Sequence, residues 1–235
     1  MEKWKKHKRS HQRLPSSAVV FAKRSLSLSK IYSGMGIFLA AFGIFVSVAL
    51  TLSGGAAAPY FLFPVAIMAL GILMFATPVI LLFVYDKNNG VLEYLLSLGW
   101  NQSDIFKRYL TAALFLALTL FIAEFAFNVV ASVIAGSILG LLTSAFTAAL
   151  GFSAVSLVTI AMVAFSSLQK QRVGGNSPLA LSIGFVVILP TFYIPLLPFS
   201  AAILVDLFIA GLAGGLSILL LILSSRLIRR EKMLP

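Results

Sequence analysis

The chain lacks cysteine and carries few charged residues for its length. Cysteine is absent from all 235 residues, which excludes a disulfide framework and any metal site built from thiolates. Charged residues make up 11% of the chain and hydrophobic residues 60%, whereas a soluble globular domain carries roughly a quarter charged residues. These proportions exclude an ordinary soluble domain and indicate an integral membrane protein.

Sequence patterns for catalysis and cofactor binding are also missing. The chain has no G-x-x-x-x-G-K-[ST] loop to cradle the phosphates of ATP. Its two histidines, His7 and His11, lie in a tail whose many positive charges repel a metal cation. Serines within the apolar stretches have no histidine or lysine base at comparable depth. We therefore predict no enzymatic activity, no metal site and no cofactor bound by this chain.

Long apolar runs dominate the rest of the sequence. Residues 31–85 contain no Asp, Glu, Lys or Arg, and Glu124 is the only charge in 109–169. Runs longer than about 18 apolar residues can each cross a bilayer as a helix. The pattern predicts an all-α integral membrane protein whose domain of 31–225 contains six transmembrane helices, near 31–53, 59–85, 109–133, 145–168, 178–198 and 201–225.

The basic residues are confined to a few segments. The net charge is +11, and the Lys and Arg residues lie before the first span, in the polar segment 86–108, in the loop 169–177 and in the C-terminal tail 226–235. Six spans place all of them on one side, which the positive-inside rule identifies as the cytoplasm. We expect a multi-pass protein of the plasma membrane with both termini cytoplasmic. The charge serves orientation and attraction to anionic lipid, and without a basic-aromatic platform we expect no binding to nucleic acid.

Two helical elements are predicted on the cytoplasmic surface. One precedes the first span, and the other lies between the second and third spans. Residues 1–15 form a basic cytoplasmic tail, and 16–30 form an amphipathic helix in the membrane interface. Its apolar face carries Ala18, Val19, Phe21, Ala22, Leu26 and Leu28, and its polar face carries Lys23, Arg24, Ser27 and Lys30.

The segment 86–108 is predicted to form two helical pieces with a break. Asn88-Asn89-Gly90 is a turn signal, Gly99 can end the first piece, and Asn101 is an expected N-cap of the second. Glu93, Tyr94 and Ser97 share the polar face, opposite Val91, Leu92, Leu95, Leu96 and Leu98. Such a rod, joined to two spans at once, can act as a lever. The alternative is an ordinary interfacial helix without a partner.

The sequence of this segment resembles the sequence between the second and third spans of ABC-2 type transporter permeases. The family pattern runs from an acidic residue through Gly-Thr-Leu-Glu to a Ser-Leu-Pro ending. The matching residues are Asp86, Gly90, Leu92, Glu93, Leu95, Leu96, Ser97 and Leu98. Val91 stands where threonine is common, and Gly99 stands where proline is common. The close likeness covers about 86–110, and the six-span layout with a helix before the first span agrees with it.

The resemblance implies a transmembrane permease subunit that pairs with a second copy or a paralogue. It implies two copies of a separate cytoplasmic ABC ATPase, on which ATP and Mg are bound. The segment 91–98 becomes a coupling helix, and the interfacial helix also contacts the ATPase. The implied contact residues are Leu92, Glu93, Tyr94, Ser97 and Gly99, with Glu93 the best polar candidate. Export of a lipid-like, amphiphilic or peptide substrate is expected.

Two acids within spans, Glu124 and Asp206, are predicted in the outer half of the membrane. A carboxylate there is costly and often functional, so these acids and Asn128, one helical turn from Glu124, are candidates for a substrate path. Hydrogen bonding to neighbouring helices is the alternative for both acids, and contact with outer lipid headgroups is a further alternative for Asp206.

The prolines of 190–200 predict short helical pieces dipping into the outer leaflet, or else a kinked loop. Two other functions stay open for the whole chain. It could be an ATP-independent carrier or channel, or a membrane scaffold or assembly protein.

Overall fold

The computed structural model describes residues 17–53, 58–168 and 177–227, and all regular secondary structure in these ranges is helical. Five helices are long and apolar enough to cross a membrane, as in a multi-pass membrane protein. The predicted basic tail with His7 and His11, most of the loop 169–177 and the end of the C-terminal tail lie outside the described residues. The helices are α1 (Ser17–Leu28), α2 (Lys30–Leu52), α3 (Leu62–Asn88), α4 (Val91–Ser97), α5 (Gln102–Ala135), α6 (Leu139–Leu168), α7 (Ser177–Ile188) and α8 (Phe199–Leu227).

Helix α3 forms the centre of the bundle. It packs against α2, α5, α6 and α7, and its side chains are buried on nearly every side. A helix that is apolar all round is expected in such a position. The surrounding helices instead expose large apolar side chains, among them Phe38, Phe45 and Phe208. These exposed faces suit contact with lipid.

Small residues bring α2 and α3 into close contact. A Cβ atom on Gly36 would lie 2.6 Å from the backbone nitrogen of Phe75, and one on Gly71 would lie 2.8 Å from that of Ala40. No side chain fits at such distances. The two glycines therefore permit a backbone-to-backbone approach of the kind that stabilises helix pairs in membranes.

The fifth predicted span differs from the expected single helix over 178–198. Helix α7 has only 12 residues, or about 18 Å, which is less than the roughly 30 Å of a hydrocarbon core. Two short 3₁₀ turns follow it, Leu189–Phe192 and Ile194–Leu196. Pro190 and Pro195 lie at the starts of these turns, where a missing N–H costs nothing. Proline thus divides this stretch into the short helical pieces expected for 190–200.

Candidate functional site

Helix α1 lies against α3 and α5 at the end of the bundle that carries the basic residues, called here the basic end. Ala22 and Ser25 are buried against the bundle, whereas Val19 and Leu28 are exposed. The predicted apolar face is therefore displaced toward Ser25. The element also ends earlier than expected, at Leu28, because the backbone of Ser29 departs from helical geometry (φ −138°, ψ 76°). Lys30 consequently belongs to α2.

Arg24, predicted on the polar face of α1, reaches back into the bundle. Its guanidinium donates hydrogen bonds of 2.7 and 3.2 Å to the two carboxylate oxygens of Asp86. The hydroxyl of Tyr109 donates a third bond, of 2.5 Å, to the same carboxylate. The Tyr109 ring makes edge-to-face contacts with Phe21 and Phe83. The Arg24–Asp86–Tyr109 cluster thus joins α1, α3 and α5.

The two partners of this ion pair are buried to different degrees. Asp86 has no exposed surface, and the Arg24 side chain is 43% exposed. The guanidinium therefore connects the protein surface to a buried carboxylate. Removing one partner of a buried ion pair leaves an uncompensated charge and costs about 3–5 kcal/mol. The cluster is accordingly a firm attachment for α1.

Helix α4 is a short rod on the surface of the basic end. It begins after Gly90, whose φ of 72° is left-handed, and the turn after it includes Gly99, with a φ of 82°. Leu92 and Leu96 are buried, which anchors the rod to the bundle. The exposed side carries Glu93, Tyr94 and Ser97. The break-rod-break arrangement agrees with the sequence pattern.

Three details of this segment differ from expectation. Leu92 is fully buried, so its side chain is not available for the surface contact with a partner protein that the sequence resemblance implied. Leu98 is 57% exposed because α4 ends at Ser97 and Leu98 belongs to the turn. Asn101 occupies the N-cap position of α5, but its side chain makes no capping hydrogen bond; the N–H of Asp104 instead donates to the Asn101 backbone carbonyl at 3.0 Å.

A shallow groove runs beside α4 toward the start of α5. Trp100 stands in it, with the Arg108 guanidinium 4.1 Å from the centre of its ring. This cation–π contact fixes the indole at the surface of the basic end. The groove is lined by Leu96, Ser97, Gly99, Trp100, Asn101 and Gln102.

A second polar cluster lies between α2, α5 and α6 toward the opposite, charge-free end. The hydroxyl of Ser47 donates to the Asn128 side-chain oxygen at 2.8 Å, and the Asn128 amide donates to Ser144 at 3.1 Å. Asn128 was expected to share hydrogen bonds with Glu124. It bonds to the neighbouring helices instead, and neither carboxyl oxygen of Glu124 has a hydrogen-bond partner among the described residues.

The three candidates for a substrate path do not line an open channel. Glu124, Asn128 and Asp206 are each at most 1% exposed. Asp206 lies on α8, which packs chiefly against α6, and its carboxyl oxygens also lack a partner among the described residues. An amphiphile or peptide has no access to these side chains in this conformation.

The two clusters differ in what they can do chemically. At the basic end, paired charges attach a surface helix to the bundle, next to an exposed rod and groove that a macromolecule can contact. At the opposite end, buried oxygen atoms can accept only a very small species. The described residues contain no group of three or more His, Cys, Asp or Glu side chains that could hold a metal ion.

The Arg24–Asp86–Tyr109 cluster has no signature in the amino-acid sequence. Arg24 and Asp86 lie 62 positions apart, and no local pattern indicates which basic residue of α1 would meet Asp86.

Comparison with protein-family models, curated proteins and solved structures finds no significant match for this chain.

Proposed function

We propose that this chain is the transmembrane permease subunit of an ABC-2 type transporter. A separate cytoplasmic ATPase, binding ATP and Mg, would drive export of a lipid-like, amphiphilic or peptide substrate. The observation that carries the proposal is α4, a short exposed rod held between two long apolar helices at the basic end.

The attachment of α4 suits it to transmit force. It is joined to α3 through Asn89 and Gly90 and to α5 through residues 98–101, and Leu92 and Leu96 anchor it to the bundle. Movement of such a rod acts on both long helices. Asp86, close before α4 on α3, is bound by Arg24, so the same movement also acts on α1. A partner pushing at one place can therefore displace three helices together.

The exposed side of α4 suits contact with a soluble protein. Glu93, Tyr94 and Ser97 offer a charge, an aromatic ring and a hydroxyl to solvent. Tyrosine is enriched at protein interfaces, and a basic group on the partner would complement Glu93. Under the positive-inside rule the basic end faces the cytoplasm, which is where a soluble ATPase would be found.

The remaining parts of the assembly follow from the same proposal. Helix α7 with its two 3₁₀ turns would complete a six-span domain of the plasma membrane, leaving both termini cytoplasmic. A second copy or a paralogue would pair with the exposed apolar faces of this bundle, and two ATPase copies would bind the pair. Substrate would then move at the interface between the paired bundles, since the candidate acids of a single bundle are enclosed.

Co-purification tests the ATPase contact. The tagged chain is co-expressed with the product of each neighbouring reading frame that carries a Walker A sequence, and it is extracted in mild detergent. We expect the ATPase to co-purify with the wild type and to be lost with Glu93→Arg. Asp104→Arg is the control, because Asp104 is an exposed acid on the first turn of α5 rather than on α4. Retention of the ATPase by the Glu93 variant would remove the α4 surface from the contact.

Reconstitution tests the transport function. Proteoliposomes containing the purified complex and a fluorescent phospholipid are supplied with ATP and Mg, and the transbilayer movement of the probe is followed. Movement that requires ATP supports the permease. A stable complex with no ATP-dependent movement of this phospholipid or of an amphiphilic peptide would favour a scaffold. Movement without the ATPase would favour an independent carrier.

A further inference from the structure

The carboxyl group of Glu124 is enclosed by protein without a bonding partner. The residue is 1% exposed, and neither oxygen is hydrogen-bonded within the described part of the chain. An ionised carboxylate in such surroundings carries an effective penalty of several kcal/mol. The site therefore requires a species that neutralises the charge, which is either a proton or a metal cation.

Thr147 lies at the same depth as Glu124. Helices α5 and α6 run in opposite directions and are held in register by the bond between Asn128 and Ser144. Glu124 is four residues before Asn128, and Thr147 is three residues after Ser144, so this register places each about one turn deeper than the bonded pair. The Thr147 hydroxyl is likewise buried without a partner. Two helices thus direct unpaired oxygen groups to one level of the bundle.

A small pocket lies near the charge-free end of the bundle, and Thr143 is one of its lining residues. It is lined by residues near the ends of α2, α3 and α6, including Ser47, Thr51, Pro64 and Thr143. Its free volume of about 10 Å³ is close to what one water molecule needs. Thr143 and Thr147 are one turn apart on α6, so their side chains are neighbours on the helix surface. The two hydroxyls therefore lie along one side of α6, with Thr143 at the pocket and Thr147 one turn deeper.

The number of unbonded oxygen atoms near Glu124 indicates whether the site binds a proton or a metal cation. Ser47 and Ser144 are already bonded to Asn128, and the hydroxyl of Thr143 donates to the Leu139 carbonyl at 2.8 Å. The two oxygens of Glu124 and that of Thr147 remain unbonded at the deeper level, whereas a hard metal cation takes roughly six or more oxygen ligands. The pocket is also too small for an organic substrate.

No other charged side chain of the described residues faces Glu124. Helices α1, α2, α3 and α6 pack against α5, and α6 contains no acidic, basic, histidine or tyrosine residue. The charged and titratable residues of the others lie at the basic end, and so do those of α5 apart from Glu124. They are Lys23 and Arg24 on α1; Lys30 and Tyr32 on α2; Tyr85, Asp86 and Lys87 on α3; and Asp104, Lys107, Arg108 and Tyr109 on α5.

We propose that Glu124 is a proton-binding site reached from the charge-free end of the bundle through the pocket at Thr143. A hydronium ion in the pocket gives its proton to the Glu124 carboxylate and leaves as water, with the hydroxyls of Thr143 and Thr147 bridging the transfer. Binding and release would alter the packing of α5 against α6. The site stands independently of any ATPase partner.

Infrared difference spectroscopy tests the proposal on the full chain in lipid nanodiscs. We expect a carboxylic-acid carbonyl band that appears as pH is lowered, shifts with ¹³C-labelled glutamate, and is lost in Glu124→Gln. Asp206→Asn is the control and keeps the band, because the second buried acid lies on another helix. Thr143→Val, which preserves side-chain shape, should slow the deuterium shift of the band after transfer to D₂O.

Three results would overturn the proposal. One is a Glu124 band that stays constant over the whole pH range in which the protein remains folded. Another is a band that responds to Na⁺ at fixed pH, which would indicate a cation site. The third is a Thr143→Val variant that exchanges as fast as the wild type, which would reject this route. Should Glu124→Gln fail to fold, Glu124→Asp takes its place, because its acid should keep a band that no longer shifts with ¹³C-labelled glutamate. A band that still shifts with the label would belong to another glutamate and would overturn the proposal.

Discussion

The Arg24 guanidinium and the Asp86 carboxylate are joined by hydrogen bonds of 2.7 and 3.2 Å across 62 residues of sequence. Arg24 lies on the short helix that precedes the bundle, and Asp86 lies near the end of the central helix. Asp86 is fully buried, and this is the ion pair that joins α1 to the bundle among the described residues. It adds a polar attachment to the apolar packing of Phe21 and Ala22.

Replacing that arginine should release α1. We expect Arg24→Ala to lower stability by about 3 kcal/mol, because the Asp86 carboxylate stays buried without its cation. The measurements are the melting temperature in detergent and hydrogen exchange across Ser17–Leu28, which should become faster. Lys23→Ala is the matched control, since Lys23 is exposed and forms no ion pair in the described part of the chain.

A double substitution gives a stricter test of the pair. If Arg24 acts through Asp86, the combination of Arg24→Ala with Asp86→Asn should destabilise the protein by less than the sum of the two single changes. Additive effects would show that the two residues stabilise α1 separately. An Arg24→Ala variant that behaves like Lys23→Ala would contradict the attachment itself.

The positions of the long helices could be predicted from the sequence because they depend on length and hydropathy alone. The charge-free stretch 31–85 became α2 and α3, and the charged segment after it became α4 with its two breaks. Each of these features depends on residues that are neighbours in the sequence. The fifth span was predicted less well, because prolines and the continuous apolar composition of 178–198 give opposite indications, and the structure follows the prolines there.

The partners of polar side chains could not be predicted, because they depend on which helices meet. Asn128 was expected to bond with Glu124 on its own helix, at the spacing where side chains are neighbours. It bonds across to Ser47 and Ser144 instead, since two separate helices offer better-placed hydroxyls. Asp86 could be assigned to a motif position, yet its ion pair requires knowing how α1 is oriented.

Close contact between α2 and α3 gives a second prediction. We expect Gly36→Ala to destabilise the bundle by about 1–3 kcal/mol through overpacking, because the added methyl would lie 2.6 Å from the backbone nitrogen of Phe75. Gly34→Ala is the control on the same helix, since a Cβ there meets nothing within 4 Å. It should be neutral or stabilising by up to about 1 kcal/mol through helix propensity.

Melting temperatures of the two alanine variants, measured in the same detergent, distinguish steric contact from propensity. The contact predicts a lower melting temperature for Gly36→Ala and an unchanged or higher one for Gly34→Ala, two residues away. Equal shifts at both positions would mean that α2 and α3 are not held as closely as the structure indicates.

The turn after α4 gives the third prediction, which concerns Gly99. Gly99 has a φ of 82°, and its N–H donates to the Leu96 carbonyl at 3.1 Å. Proline fixes φ near −65° and has no N–H, so it fits neither requirement. Gly99→Pro should therefore loosen α4, seen as faster hydrogen exchange over Val91–Ser97. Gly99→Asn, which tolerates a left-handed conformation, should leave that exchange nearly unchanged. If the proline variant protects α4 as well as glycine does, then the turn can adopt a second geometry, and the left-handed glycine is not required there.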